Sequence, residues 1–470
     1  MTSHQQPAGS EPPVGDGKTA AESSVGDGIT AAESSAGDGI TTGESSAGDG
    51  KPAADRIHRT IEAVFRLESA RLIGGLARLV RDVGLAEEIA QDALVAALEQ
   101  WPADGVPNNP GAWLMSVGRR RAIDLIRRSR SYDSKLAEIG RELQIDGEGF
   151  EHDIDALLDD NIGDDRLRLI FVACHPVLSV PARVAMTLRL LGGLTTAEIA
   201  RAYLVPEATV AQRISRAKKA LSAAQVPFEV PTGDDFAARL PSVLEAVYLI
   251  FNEGYTATSG DDWTRPDLCL EAVRLARILQ GLVPDEPEVH ALAALLELQS
   301  SRLAARVGAY GRPVLLLDQN RGRWDPLLIR RGMAALDRVH RLHGEYGYYA
   351  LQAAVAACHA RATRAEDTDW PRIAELYEML VTVAPSPIVE LNRAVAVAMA
   401  HGPLAGLQLL DRLRDEPALR GYHLLPSVRG DLLVRMGRSE EARAEFARAA
   451  AMTGNAAERE LLLERARTGT

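Results

Sequence analysis

The stretch LTTAEIARAYLVPEATVAQRISRAKKAL, Leu194–Leu221, decides how the chain is read. Its spacing predicts a helix-turn-helix. Thr195 or Thr196 caps a short first helix, with Glu198 near its third position and Ile199 and Ala200 turned inward. Tyr203–Val205 form the turn, and Pro206 either stops the first helix or opens the second at its first turn. The second helix runs from Glu207 to Leu221 with Val210, Ile214, Ala217 and Leu221 on one face. Its other face carries Thr209, Gln212, Arg213, Arg216, Lys218 and Lys219. A helix that lies in a DNA major groove needs this division: an apolar seam to the scaffold, early polar residues for base edges, later cations for phosphates. A helical hairpin with a solvated face would share the apolar spacing. The small residues Ala197 and Ala200 before the turn, and the polar-to-basic gradient after it, favour DNA.

A second basic helix lies about 80 residues upstream. Residues 112–130 read as a helix that becomes strongly basic, with Arg119, Arg120, Arg121, Arg127, Arg128 and Arg130 relieved only by Asp124. Most charge runs are solvated faces; the functional reading is contact with a phosphate backbone, for which local charge matters more than the global sum. Trp113 precedes these arginines on the same element, where an aromatic could stack on an unpaired base; a lone Trp is more commonly core. Before it, residues 57–81 and 85–100 read as amphipathic helices. The second of these has acids in its first turn, where the helix dipole favours them. Trp101–Trp113 reads as a Pro/Gly/Asn loop.

The global composition points the other way. The chain has 470 residues and a formal net charge of −12. The charge is unevenly placed. An eleven-residue unit recurs at the N-terminus as VGDGKTAAESS (Val14–Ser24), VGDGITAAESS (Val25–Ser35) and AGDGITTGESS (Ala36–Ser46). It has too few large apolar residues to offset its ordering entropy, so residues 1–55 are expected to be a disordered acidic tail. Residues 1–50 hold eight acids and one lysine, a net of −7, which leaves −12 + 7 = −5 for the rest. Three widely separated cysteines, Cys174, Cys269 and Cys358, exclude a disulfide scaffold and fit a reducing cytosol. No apolar run approaches the roughly 20 residues that span a bilayer, and no signal peptide is recognisable, so a cytoplasmic protein without membrane partners is expected. No P-loop, nucleophile elbow or metal cluster suggests an enzyme or a cofactor. The Cys174-His175 and Cys358-His359 pairs sit in apolar helical segments without further ligands, as buried small residues do.

Taken together, these motifs resemble the extracytoplasmic-function (ECF) sigma factors of bacterial RNA polymerase. GLAEEIAQDALVAALEQW resembles the family's acidic helix, and the resemblance implies that Glu87, Glu88, Gln91 and Asp92 dock on the clamp helices of the largest polymerase subunit. NPGAWLMSVGRRRAIDLIRR resembles the stretch that recognises and melts the −10 element, which implies that role for Trp113, Arg119, Arg120, Asp124, Arg127 and Arg128. The helix-turn-helix resembles the domain that reads the −35 element. That assigns Glu207, Thr209, Gln212, Arg213, Arg216, Lys218 and Lys219 to promoter DNA, with the flap region as a second polymerase contact. The resemblance covers about residues 57–225.

The remaining residues resemble the long tetratricopeptide-repeat-like extension of one ECF group. Gly430, Leu433, Ala442, Phe446 and Ala449 follow the spacing of one such repeat, and Ile373, Tyr377, Leu380 and Pro385 fit half of another. Residues 236–345 give no clean 34-residue period. Within the extension, Tyr248–Trp263 and Leu315–Asp325 read as loops serving either for capping or as a docking surface, and Val314–Leu317 as a short strand or a buried helix turn. The expected fold is therefore all-α: a tail (1–55), sigma domain 2 (56–132), an acidic linker (133–163), sigma domain 4 (164–226) and a helical extension (236–470). The expected function is transcription initiation with core RNA polymerase and promoter DNA. The resemblance implies that the extension regulates it in cis, with a regulatory protein as a further partner. The alternative is a one-component regulator whose helix-turn-helix binds an operator; it would need neither the acidic helix nor the arginine helix.

Overall fold

The computed structural model describes residues 51–137, 162–203, 205–257, 263–308 and 312–469. The expected disordered tail lies almost wholly outside these residues, as does most of the acidic linker. Among the described residues the fold is all helical, with one isolated bridge, Val307 to Pro313, and no strand. Val314–Leu317 is thus neither of the two elements expected, but a turn-rich connection.

Three helices come first: α1 (Lys51–Val80), α2 (Val83–Asp104) and α3 (Pro110–Ala137). α1 begins five residues inside the segment assigned to the tail. α2 begins at Val83, and the Asp82 side chain caps it by accepting from the Leu85 N–H at 2.8 Å. The acid that serves the helix start is therefore Asp82, and the first turn itself is without acids. Trp101–Asp104 continues α2 and Pro110 opens α3, so the expected loop shrinks to residues 105–109. Burial of Trp101 at 1% exposure carries the helix through Pro102. α3 can approach α1 closely because Gly118 leaves space that a Cβ would contest with Leu76 at 3.1 Å.

The helix-turn-helix unit follows as α4 (Ile162–Ala173), α5 (Val180–Leu190), α6 (Thr196–Ala202) and α7 (Glu207–Ala223). Thr195 is the cap of α6. Its hydroxyl accepts from the Glu198 N–H at 3.1 Å, and the Glu198 carboxylate accepts from the Thr195 N–H at 2.7 Å, a reciprocal capping box. Pro206 stands just outside α7, in extended geometry.

The extension contributes α8 (Gly233–Tyr255), α9 (Pro266–Leu282), α10 (Pro287–Ser300), α11 (Leu303–Arg306), α12 (Pro326–Arg341) and α13 (Tyr348–Arg361). It then continues through α14 (Trp370–Val383), α15 (Pro387–His401), α16 (Pro403–Arg412), α17 (Leu424–Arg435), α18 (Ser439–Met452) and α19 (Ala456–Thr468). Tyr248–Tyr255 is helix rather than loop, because Tyr248, Ile250, Phe251 and Tyr255 are all buried in the core that α8 forms. Leu315–Asp325 holds a short 3-10 turn, Arg321–Arg323, and Asp325, which caps α12.

The chain divides into two bodies. One holds α1 to α10, α12 and the first turns of α13. The other holds residues 305–323 and everything from Ala354 on. In the second body successive helices pack on their neighbours, as in a helical repeat. Gly430 is the close-approach point of α17 and α18: a Cβ there would meet the Phe446 ring at 2.4 Å. Arg465 of α19 lies 4.0 Å from the centre of the same ring and pairs with the buried Asp431. No helix among the described residues is long and apolar enough to cross a membrane.

Candidate nucleic-acid interface

The second helix of the helix-turn-helix, α7, is held by the expected seam: Val210, Ile214, Ala217 and Leu221 are all buried. Glu207, Thr209, Gln212, Arg216 and Lys219 are exposed on the opposite side, and Arg213 is half-buried. Lys218 departs from this group. Its stem lies along Gly84 of α2, and its ammonium pairs with Glu87 of the same helix.

The structure also places the expected −10 residues. On α3, Leu114 and Ala122 are buried, and Arg120, Asp124, Arg127 and Arg128 are exposed. Arg119 is half-buried. Trp113 packs edge-on against Trp101, with centroids 5.3 Å apart and planes at 67°. It therefore presents a partly exposed ring anchored on the core rather than a free one. Arg121 leaves the basic face and pairs with Asp92 of α2 at 3.1 Å.

The four acidic-helix residues separate into two pairs. Glu88 and Asp92 are exposed, with side chains 70% and 63% accessible. Glu87 is buried, at 4% exposure. It accepts from Arg189 Nε of α5 at 2.9 Å, from Gln91 Nε2 at 3.0 Å, and from Lys218 Nζ. Arg189 also donates to the Leu194 carbonyl at 3.1 Å, where α5 gives way to the helix-turn-helix. A second link joins the two units: Asp165 of α4, buried at 4% exposure, faces Arg78 of α1 at 3.4 Å and Arg168 at 2.7 Å. Gly74 makes room for it, since a Cβ there would stand 3.1 Å from both the Asp165 Cβ and its carbonyl oxygen.

Sequence reading named Glu87 and Lys218 but not their pairing, and gave no role to Arg189, Asp165, Arg78 or Gly74; Glu87 lies 102 and 131 positions from its two cations. The same holds for the residues that fasten the helix-turn-helix to the extension. Arg274 of α9 donates to the Leu191 carbonyl at 2.6 Å. Arg265, just before α9, donates to the Ala202 carbonyl at the end of α6 and to Glu253 of α8. Arg183 reaches Ser242 at 3.2 Å and Glu245 at 3.3 Å, and Phe171 packs on Phe236 at 5.2 Å. Tyr248–Trp263, left open between capping and docking, holds Glu253 at this junction.

The Cys174 thiol lies 3.3 Å from the Thr187 hydroxyl, and burial pushes its pKa up to about 11. Among the described residues no group of His, Cys, Asp and Glu is placed to hold a metal ion.

Comparison with known proteins matches the geometry. Residues 64–132, which span most of α1 to α3, match the model of sigma-70 region 2. Residues 168–221, the helix-turn-helix unit, match sigma-70 region 4. Residues 239–340, from α8 to α12, match a family of unknown function, DUF6596. An uncharacterized protein of Rhizobium meliloti (strain 1021) is 46% identical over 395 residues, 83% of this chain and 92% of that protein. The ECF RNA polymerase sigma factor SigK of Mycobacterium ulcerans (strain Agy99) is 31% identical over 156 residues, 32% of this chain and 78% of its own. SigK of Mycobacterium sp. (strain KMS) is 28% identical over 168 residues, 35% of this chain and 82% of its own. With both sigma regions in order and an ECF relative 31% identical over most of its length, the chain belongs to the ECF family of RNA polymerase sigma factors and carries a long helical extension at its C-terminal side.

Proposed function

We propose that the protein binds core RNA polymerase through α2 and its neighbours, reads the −35 element with α7, and recognises and opens the −10 element with α3. The observation that carries this reading is the pairing of two exposed cationic faces, Arg120, Arg127 and Arg128 on α3 and Arg216 and Lys219 on α7, each set on a buried apolar seam within one body. Thr209 and Gln212 stand early on α7, where side chains meet base edges, and Arg213, Arg216 and Lys219 follow, where cations meet phosphates. Glu88 and Asp92 offer accessible carboxylates for a cationic surface of the polymerase. The protein supplies recognition and strand opening; the polymerase forms the phosphodiester bonds. The extension acts in cis, since Arg265 and Arg274 hold carbonyls at the two ends of the helix-turn-helix core.

The test is transcription in vitro with purified core polymerase and a promoter selected from genomic fragments. Start-site-specific transcripts that require this chain support the reading. Absence of both core binding and specific transcripts overturns it in favour of an operator-binding regulator.

A further inference from the structure

We propose that the outer face of α12, in the extension, is a third DNA contact, which grips the phosphates of the duplex upstream of the −35 element without reading its sequence. The place given to it along the promoter rests on the sigma-factor reading above; the cationic face itself does not.

α12 carries four arginines and one aspartate, a net of +3, in a chain whose residues after position 50 sum to −5. Gly332, Ala335 and Val339 bury its inner side. Arg330, Arg331 and Arg341 are exposed and make no ion pair among the described residues. Elsewhere in this body the extension engages its arginines internally: Arg265 with Glu253, Arg274 with Glu271 and Arg277 with Glu297. The fourth arginine of α12, Arg338, pairs with Asp285 at 3.2 Å. Helical geometry sets Arg330 and Arg341 three turns apart on one line, about 17 Å, and Arg331 and Arg338 two turns apart on a neighbouring line, about 11 Å. Ala334 lies between the two lines, where its small side chain lets a sugar-phosphate backbone come close, and Asp337 stands at the margin. Cations at these separations reach phosphates on both walls of a groove about 12 Å wide. The i, i+1, i+8 spacing of Arg330, Arg331 and Arg338 repeats that of Arg119, Arg120 and Arg127 on α3.

Two features favour nucleic acid over an acidic protein. α12 has no Phe, Tyr or Trp, and Leu327 is its single exposed large hydrophobic side chain, so the face lacks the apolar centre on which a protein interface depends. It also has no Asn, Gln, Ser or Thr, which suits it to phosphates rather than base edges. α7, by contrast, has Thr209 and Gln212.

Packing gives the face its place. Arg265 and Arg274 hold the start of α9 and its middle to the helix-turn-helix. Arg277 of α9 donates to Glu297 of α10 at 2.7 Å, and α10 meets α12 so closely that a Cβ on Gly332 would stand 2.6 Å from Leu298 Cγ. All of these lie in one body. At about 8–10 Å per packed helix pair, α12 stands two layers, roughly 20 Å, from α9, a length that about six base pairs span. Duplex continuing past the −35 element, on the side away from the −10 element and α3, comes within its reach.

The experiment titrates holoenzyme, reconstituted from core polymerase and the full-length chain, on promoter duplexes that end at the −35 element or continue upstream by about two helical turns. It compares the unaltered chain with the triple variant Arg330→Ala, Arg331→Ala, Arg341→Ala. Each phosphate contact releases about one counterion. The variant should therefore lower the slope of log affinity against log salt by about three, and weaken binding roughly ten-fold at about 0.1 M salt, on the long duplex and not the short one. Scrambling the upstream bases should change neither value. Lysine at the same three positions should keep most of the affinity, which a loss of fold would not. Core binding should be the same for all three chains. Equal affinities and slopes for the unaltered and alanine chains on the long duplex overturn the proposal, as does an equal loss on both duplexes. Weakened core binding also overturns it, by making the face a contact for protein. The chain alone, on random-sequence duplex at low salt, separates this from the sigma-factor reading. A slope lowered by the triple variant, with no core binding by any chain, keeps the α12 contact with DNA while the sigma-factor reading falls.

Discussion

Arg265 and Ala202 tie the extension to the helix-turn-helix unit: the guanidinium donates to the Ala202 carbonyl at the last turn of α6 while pairing with the buried Glu253. Removing the cation with Arg265→Leu would leave the Glu253 carboxylate buried without it. Such a loss costs about 3–5 kcal/mol. The measurement is urea unfolding of the whole chain, with a matching loss of −35 binding. Arg265→Lys should recover only part of it, because a single ammonium cannot reproduce the guanidinium fork.

On the recognition helix, Arg216→Ala with Lys219→Ala should weaken binding to all DNA sequences alike and reduce the slope of log affinity against log salt by about two. Gln212→Ala should instead relax discrimination at one base position, at a cost of about 1–3 kcal/mol for the preferred base. Titration of promoter and scrambled duplexes at several salt concentrations separates the two. An unchanged salt slope for the double variant would remove α7 from the phosphate backbone.

His175 gives the fold a pH dependence. Burial, with Arg239 and Arg183 nearby, holds its pKa below the ordinary histidine value, and its Nδ1 accepts the Val177 N–H at 3.2 Å. The folded state therefore binds fewer protons than the unfolded chain between the lowered pKa and about 6.5. Stability is at its full value above about 6.5 and falls as pH drops through that window. Thermal midpoints of the wild type should decline as the pH is lowered below neutrality, and His175→Gln, which keeps an acceptor, should lessen the decline.

In the second body, Gly430→Ala forces a methyl to within 2.4 Å of the Phe446 ring. Overpacking of this kind costs about 1–3 kcal/mol. Paired Phe446→Leu should return part of that loss, and differential scanning calorimetry reads both. An additive double variant would mean that α17 and α18 do not meet through these two residues.

Much of this was legible in the sequence for a local reason. The α7 seam, the Thr195–Glu198 box and the Gly430/Phe446 spacing are decided within a few turns of helix, so periodicity and capping chemistry reveal them. The partner of Glu87 was not, because an acidic amphipathic helix looks the same whether its carboxylate faces water, polymerase or a lysine 131 positions away. Trp101–Asp104 misled for a related reason: Pro102 announces a loop, but burial of Trp101 extends the helix. Tyr248–Tyr255 misled through its asparagine, glutamate and glycine, all of which sit inside a buried helix. The repeat-like half gave its pattern at the glycine and alanine contacts, whereas α8–α12 carry helix junctions made by arginines to distant carbonyls, which leave no periodic trace.

The carbonyl-holding arginines also bear on how this factor can be taken apart. A cut between Val226 and Phe236 looks natural from the family boundaries, yet it would strip the caps from Leu191 and Ala202 and bare the ring of Phe171. The helix-turn-helix module is thus not interchangeable with those of shorter relatives. Grafting it elsewhere would require carrying α8 and α9 along, so the helix-turn-helix and the start of its extension are inherited as one unit.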